Sequence, residues 1–235
     1  MRQYYVCNPA TEQWFDIPDS PIEPPICGAL IFYPHYKVVH ISRLSPFTMS
    51  IFSPETREWT EHTLHLEPSI VIYGLVKART VFVDSSLYML SASGYLLKID
   101  MKRICARAIE LPEIVLRGEH PIGCIGMSQG RLHYSWGNMV WMLDDAGEWA
   151  LKHIIGQPLC NNSTIYYPVF AFDPKSDVLF VGNTKRIYRF DPYTKVLEAV
   201  CKLNDKANDS IYAELYLICL ISSDIGISIL LLLPL

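Results

Sequence analysis

Apolar and polar residues alternate in short runs along most of this chain. Arg79–Asp84, Leu87–Ser91, Tyr95–Ile99 and Ile104–Ile109 are four runs of strand length, separated by Ser-Ser, Ser-Ala-Ser-Gly and Asp-Met-Lys-Arg clusters that favour turns. The next stretch reads the same way, as Ile125–Ser128, Arg131–Ser135, Met139–Leu143 and Trp149–His153. No segment carries a helical period. Ala106–Glu113 is short and ends at a proline, and Leu64–Val76 is interrupted by Pro68 and Gly74. The predicted class is all-β.

One phrase recurs: an apolar strand, a small polar residue, often Pro, a polar turn, then an aromatic. It runs Tyr5-Val6-Cys7-Asn8-Pro9 to Trp14 and returns as Ser50-Ile51-Phe52-Ser53-Pro54 to Trp59. Weaker copies pass through Asp100, through Asp144 to Trp149, and through Asp191 to Leu197. The markers Asn8, Ser53, Asp100, Asp144 and Asp191 are 45, 47, 44 and 47 residues apart. Val39, Leu87, Leu132 and Leu179 keep a second register of 48, 45 and 47. A period of about 40–50 residues with several strands per repeat is that of a β-propeller. The expectation is five to six four-stranded blades, incomplete at the N-terminus. The Asx or Ser side chain can bond the backbone of the turn, and proline presets its φ. Trp14, Trp59 and Trp149 are then expected between blades, each costing about 3–5 kcal/mol on replacement by Ala.

Composition changes this picture little. The 235 residues are long enough for a sizeable core, and half apolar with 19% charged excludes a mainly disordered chain. A net charge of −4 argues against nucleic acid as a partner. Seven cysteines, odd in number and never as C-x-x-C, suit a reducing compartment, and no apolar leader follows Met1; the expected location is cytoplasm or nucleus. From Leu215 to Leu235 only Asp224 is charged. That stretch has the length of a membrane span, but a central Asp costs about 2.5–3.5 kcal/mol there. A pair of closing strands, Tyr212–Leu220 and Ile225–Leu233 beside Tyr4–Asn8, competes with a tail anchor and with the end of a misassembled gene.

Candidate chemistry has plainer explanations. Gly126-Met127-Ser128-Gln129-Gly130 matches the nucleophile elbow, which requires a strand-to-helix turn; here a strand follows, and the register equates it with the Asp84-Ser85-Ser86 hairpin. His62 and His65 lack a third ligand at zinc spacing. Asp144-Asp145 heads a turn of the repeat, and Lys98, Lys102, Arg103 and Arg107 read as a solvated edge. Gly123-x-x-Gly126 lacks the third glycine and the helix of a dinucleotide site. No catalytic, metal or cofactor-binding residue is expected, and no cofactor.

Tyr-Val-Cys-Asn-Pro-Ala-Thr-x-x-Trp from Tyr5, Pro-His-Tyr-Lys-Val-Val from Pro34, Ile-Phe-Ser-x-Glu-Thr-x-x-Trp from Ile51, Ser-Leu-Tyr-Met-Leu from Ser86 and Phe-Asp-Pro-x-Ser-Asp-Val from Phe172 stand in this order. Together they resemble the plant F-box-associated domain, a kelch-like propeller, over Tyr4 to about Leu203. The resemblance implies a module that presents substrate proteins to a Skp–cullin–F-box ubiquitin ligase. The F-box itself, which docks on the Skp-type adaptor, has no counterpart in the sequence, so that adaptor is a partner only through an F-box upstream. The expected organisation is a domain at 1–205 and a divergent hydrophobic tail at 206–235. The expected function is non-covalent binding of a substrate protein, without catalysis. A truncated, non-functional product is the alternative, and a sugar-binding or enzymatic propeller a lesser one.

Propeller partners usually meet the loops on one face. Here those are Arg43–Phe47, Leu64–Ile70, Ser91–Gly94, Leu116–Pro121, Ser135–Asn138, Pro158–Ile165 and Gly182–Lys185. Arginine and aromatic side chains dominate binding hot spots, which makes Arg43, Phe47, Arg117, Trp136 and Tyr166 the candidate contacts.

Overall fold

The computed structural model describes residues 4–8, 13–21, 27–32, 36–42, 47–67, 75–116, 123–155, 168–182, 186–202 and 229–231. It divides into two compact units, one of Met1–Glu110 with Cys219–Leu235 and one of Leu111–Ile218.

The described residues of the first unit form three sheets. β1 (Tyr4–Asn8) and β2 (Gln13–Ile17) form a hairpin, and β20 (Ile229–Leu231) lies antiparallel on the other side of β1, with Val6 opposite Leu230. β3 (Cys27–Phe32), β4 (Tyr36–Ile41), β5 (Thr48–Ser53) and β6 (Glu58–Thr63) make an antiparallel meander. The third sheet is the meander β8 (Leu75–Val83), β9 (Ser86–Ser91), β10 (Tyr95–Asp100) and β11 (Cys105–Glu110), extended by β7 (His65–Glu67), which runs parallel to β11. The expected loop at Leu64–Ile70 is therefore corrected over 65–67. A three-residue run is too short to show its alternation, and only pairing with β11 makes it a strand.

The second unit opens with the single turn α1 (Glu113–Leu116). Two four-stranded meanders follow: β12 (Cys124–Ser128), β13 (Arg131–Trp136), β14 (Met139–Leu143) and β15 (Trp149–Ile154), then β16 (Val169–Phe172), β17 (Leu179–Gly182), β18 (Arg186–Phe190) and β19 (Leu197–Lys202). The fold is all-β, and most of its sheets are four-stranded and antiparallel.

Burial follows strand order. Second strands are covered on both faces: all six residues of β9 are buried, as are Leu132 to Ser135 of β13. The outer strands β6 and β15 are half exposed. Sheets pack face to face inside the first unit. Val39, Ile41 and Met49 from one sheet interleave with Leu87, Met89, Leu97, Ile99, Ala106 and Ala108 from the next. The markers Val39, Leu87, Leu132 and Leu179 are all buried at 5% exposure or less, and that explains their period.

The recurring phrase is a hairpin of repeated geometry. The Oδ1 of Asp100 accepts from the amides of Lys102 (2.8 Å) and Arg103 (3.0 Å). Asp191 Oδ1 does the same for Tyr193 (2.8 Å) and Thr194 (3.3 Å). Asp144 Oδ1 takes the amides of Ala146 (2.9 Å) and Glu148 (2.8 Å). Three turns close by a backbone bond four residues on, from Arg57 to Ser53, Ile104 to Asp100 and Lys195 to Asp191, and the closing residue sits at a φ of 58°, 54° and 61° respectively; the Asp144 turn closes one residue earlier, from Gly147 to Asp144 at 3.1 Å. Ser53 departs from the Asp copies, its hydroxyl donating to the Glu55 carboxylate. The backbone of Asn8 lies in β1, at the same place in its hairpin.

Two substitutions should act with opposite signs on these hairpins. Asp144→Ala strands two amides and should lower stability by about 1 kcal/mol, the size of a lost Asx cap. Lys195→Gly removes a Cβ from a left-handed position and should raise it by about 0.5–1 kcal/mol. Urea unfolding of both variants checks the pair.

Candidate functional site

Of the five candidate contact residues, Arg43, Arg117 and Tyr166 lie outside the described residues. Phe47 is corrected: it is 8% exposed and belongs to the core with Val39, Ile41 and Met49, while its carbonyl accepts the Leu64 amide at 2.8 Å. Its place at the end of a loop suggested exposure, but it directly precedes β5 and its ring is drawn into that strand's core. Trp136 ends β13, half-buried, before the two-residue turn Gly137–Asn138. Only the first central residue, Gly137, has a positive φ (58°), the pattern of a type II′ hairpin.

The motif residues fall where the repeat places them. Gln129 and Gly130 both have positive φ, as do Asp84 and Ser85, so both pairs are two-residue hairpin turns of the I′ kind. Ser128 is 2% exposed and its Oγ donates to the Ser176 carbonyl at 2.7 Å, which turns it away from nucleophilic work. His62 is on β6 and His65 on β7, in two different sheets. Lys98 reaches over the Tyr88 ring at 5.6 Å, and Arg103 pairs with Asp100.

The repeat tryptophans differ. Trp59 packs on Val6, Ile17, Val38 and Phe52, and its indole N–H donates to the Pro18 carbonyl at 3.1 Å, joining the β3–β6 sheet to the hairpin of β1 and β2. Trp149 meets Tyr134 of its own sheet at 5.8 Å between ring centroids. Trp14 is described only in its backbone, on β2.

Among the described residues, titratable groups converge along the seam between the two sheets of the second unit. A bulge in β15 leaves Lys152 out of the ladder, because Trp141 opposes Leu151 while Val140 opposes His153. Bulges re-aim side chains, and this one directs Lys152 into the seam. There Lys152 Nζ bonds the Asp177 carboxylate and lies 3.2 Å from His133 Nε2. The other Asp177 oxygen accepts from the Tyr193 hydroxyl at 2.8 Å. His133 Nδ1 lies 3.0 Å from the Arg131 carbonyl, which fixes the proton on Nδ1 and leaves Nε2 to accept from Lys152. The His133 ring lies 5.5 Å from that of Phe172, tilted by 35°, and His153 meets Tyr193 edge-on at 5.2 Å. Three further bonds cross the same seam, from the Gln129 amide to Pro174 (2.9 Å), from Ser128 Oγ to Ser176 (2.7 Å) and from Cys124 Sγ to Phe170 (3.2 Å).

The electrostatics follow from these contacts. Burial pushes His133 below its usual range; the bond to Arg131 opposes this and the Lys152 charge adds to it. Burial likewise lowers His153. For Asp177 burial acts upward, but hydrogen bonds from Lys152 and Tyr193 outweigh it and hold the carboxyl low. Each carboxylate oxygen thus holds a donor and the imidazole lone pair is already taken, an arrangement suited to fastening two sheets. Sequence reading missed this seam because its residues come from different strands and share no motif, although Tyr193 sits inside the recurring phrase at Asp191 and Asp177 inside the phrase from Phe172.

Repeated four-stranded meanders with a common hairpin define a β-propeller-like fold. No protein-family model and no curated protein matches the chain. Among solved structures it is similar to the extracellular domain of a one-component system from B. thetaiotaomicron, with a TM-score of 0.51 at 10% identity, covering 87% of this chain and 28% of that one. It is also similar to a chain of the crystal structure of the mitotic checkpoint complex, with a TM-score of 0.46 at 14% identity, covering 86% and 59%. The first likeness is one of fold. The chain spans less than two thirds of either of these longer chains.

Proposed function

We propose that this chain is a protein-interaction module, a substrate receptor of the F-box-associated kind that binds its partner non-covalently in the cytoplasm or nucleus and catalyses no reaction. One observation carries the reading. The phrase around Ser53, which resembles the F-box-associated domain, and the repeat copies at Asp100 and Asp191 close the same backbone turn at one place in three sheets, and in the resembling phrase from Phe172 the Asp173 carboxylate takes the amides of Lys175 (2.8 Å) and Ser176 (3.1 Å). At Ser53 the resemblance therefore rests on a position whose structural role recurs along the chain. The substrate protein is met through the loops of Arg43, Arg117, Trp136 and Tyr166, and a Skp-type adaptor is met through an F-box.

The test uses the 235-residue chain as bait, with crosslinking and quantitative mass spectrometry. Replacing Arg43, Arg117, Trp136 and Tyr166 singly by Ala should weaken capture of one defined protein at least tenfold at one or more positions, about 1.4 kcal/mol. Arg189→Ala, on the exposed face of β18, should leave capture unchanged. Capture indifferent to all four loop changes would contradict the proposal. So would a salt-resistant complex between these 235 residues alone and a Skp-type adaptor.

A further inference from the structure

We infer that the seam between the β12–β15 and β16–β19 sheets is an acid-released latch, closed by the neutral imidazoles of His133 and His153 around the Lys152–Asp177 pair. The inference stands apart from the proposed receptor role and rests on the geometry of the seam.

At neutral pH the charges of Lys152 and Asp177 cancel and both imidazoles are uncharged. His133 has one lone pair to offer, on Nε2, and Lys152 takes it at 3.2 Å. A proton at that atom would abolish the acceptor and set two cations at hydrogen-bond distance. The ring's other neighbour is Phe172, which offers no acceptor; the Asp177 charge favours a proton on His133, but burial and the charges of Lys152 and His153 oppose it. The Arg131 guanidinium faces away, toward Asp145 at 3.4 Å. His153 is faced by Asp177, Lys152, Lys195 and Asp191 and by the Tyr193 ring, and its Nε2 is buried with no hydrogen-bond partner among the described residues. A proton on His153 Nε2 would therefore be buried without an acceptor. Asp177 stays ionised throughout the window, since its carboxyl lies below 3.8.

The sign is fixed by where the proton is welcome. Closed, both histidines titrate below 6.5; opened to water, they return to about 6.5. The open seam therefore binds more protons, and opening is favoured as pH falls below about 6.5. The gain is at most about tenfold per pH unit for each histidine. The cross-seam bonds from Gln129, Ser128 and Cys124 are then lost while the ladders within each sheet persist, a local opening rather than unfolding. Histidine pairs that charge in this range are a common means of loosening a contact at mildly acidic pH.

Hydrogen exchange on the full chain tests the latch. Between pH 7.0 and 5.5, after correction for intrinsic exchange, protection of the Gln129 amide should fall severalfold relative to amides in the β13–β14 ladder. In a His133→Phe/His153→Phe double variant, which keeps both rings, the differential loss should vanish. Gln129 protection that follows the ladder amides in the wild type, or a differential loss that survives in the variant, would overturn the inference. Should the variant not fold, nitrogen-15 spectra of the wild-type imidazoles decide. The latch requires His133 to carry its proton on Nδ1 and to titrate below 6.5, and the other tautomer or a titration at or above 6.5 overturns it.

Discussion

Trp59→Ala is expected to lower the stability of the chain by about 3–5 kcal/mol in urea unfolding at pH 7. The indole bridges two sheets of the first unit. It fills the space among Val6, Ile17, Val38 and Phe52, lies 4.8 Å from the His40 ring and 5.4 Å from that of Phe52, and donates to Pro18. Truncation opens a cavity between sheets, where the surrounding strands are held by their ladders and cannot collapse into it. Trp59→Phe separates the two contributions: it restores most of the packing and leaves the Pro18 carbonyl without its donor, for a loss of about 1 kcal/mol from the bond itself. A loss under about 1.5 kcal/mol for the Ala variant would show that the ring is peripheral.

Acid should destabilise the fold well above the range where carboxylates titrate. His40 is fully buried against Trp59, and burial lowers its pKa from 6.5 to about 4. The folded chain thus holds the imidazole neutral, while the unfolded chain binds a proton below 6.5. Stability is complete above about 6.5 and falls as pH drops toward 4. At about 1.4 kcal/mol per pH unit the loss reaches roughly 3 kcal/mol. Urea unfolding at pH 7.0, 5.5 and 4.5 should show this slope in the wild type. In His40→Phe, which keeps a ring beside Trp59, most of it should disappear, leaving the part due to His133 and His153. A slope unchanged in His40→Phe would assign the acid sensitivity elsewhere.

The repeat was legible because its physics is local. An Asp that takes two amides of its own turn, and a strand that alternates beside it, leave the same trace each time they recur. Strand limits read in the fourth repeat, such as Met139–Leu143, coincide with or fall within a residue or two of β12 to β15. A further trace was present and went unused. The residue after each buried marker is a ring, His40, Tyr88, His133 and Phe180, and two of these, His40 and His133, meet neighbouring aromatics at a tilt. What stayed hidden depends on tertiary context. Phe47 sits in a stretch that reads as loop, yet its side chain belongs to the core. β7 exists only because β11 offers an edge. Lys152 looks like an outward strand residue until a one-residue bulge turns it toward Asp177.

Reconstitution of ubiquitin transfer is the most direct test of the receptor role. The chain, placed behind an F-box and assembled with a Skp-type adaptor, a cullin and a conjugating enzyme, is incubated with a proteome, and proteins gaining ubiquitin are quantified by mass spectrometry. The expected result is a small, defined set that is modified with the wild-type chain and lost with the Arg43→Ala, Arg117→Ala, Trp136→Ala or Tyr166→Ala change. Labelling that is the same with all four variants as with the wild type would contradict a receptor that reads its substrates through these loops.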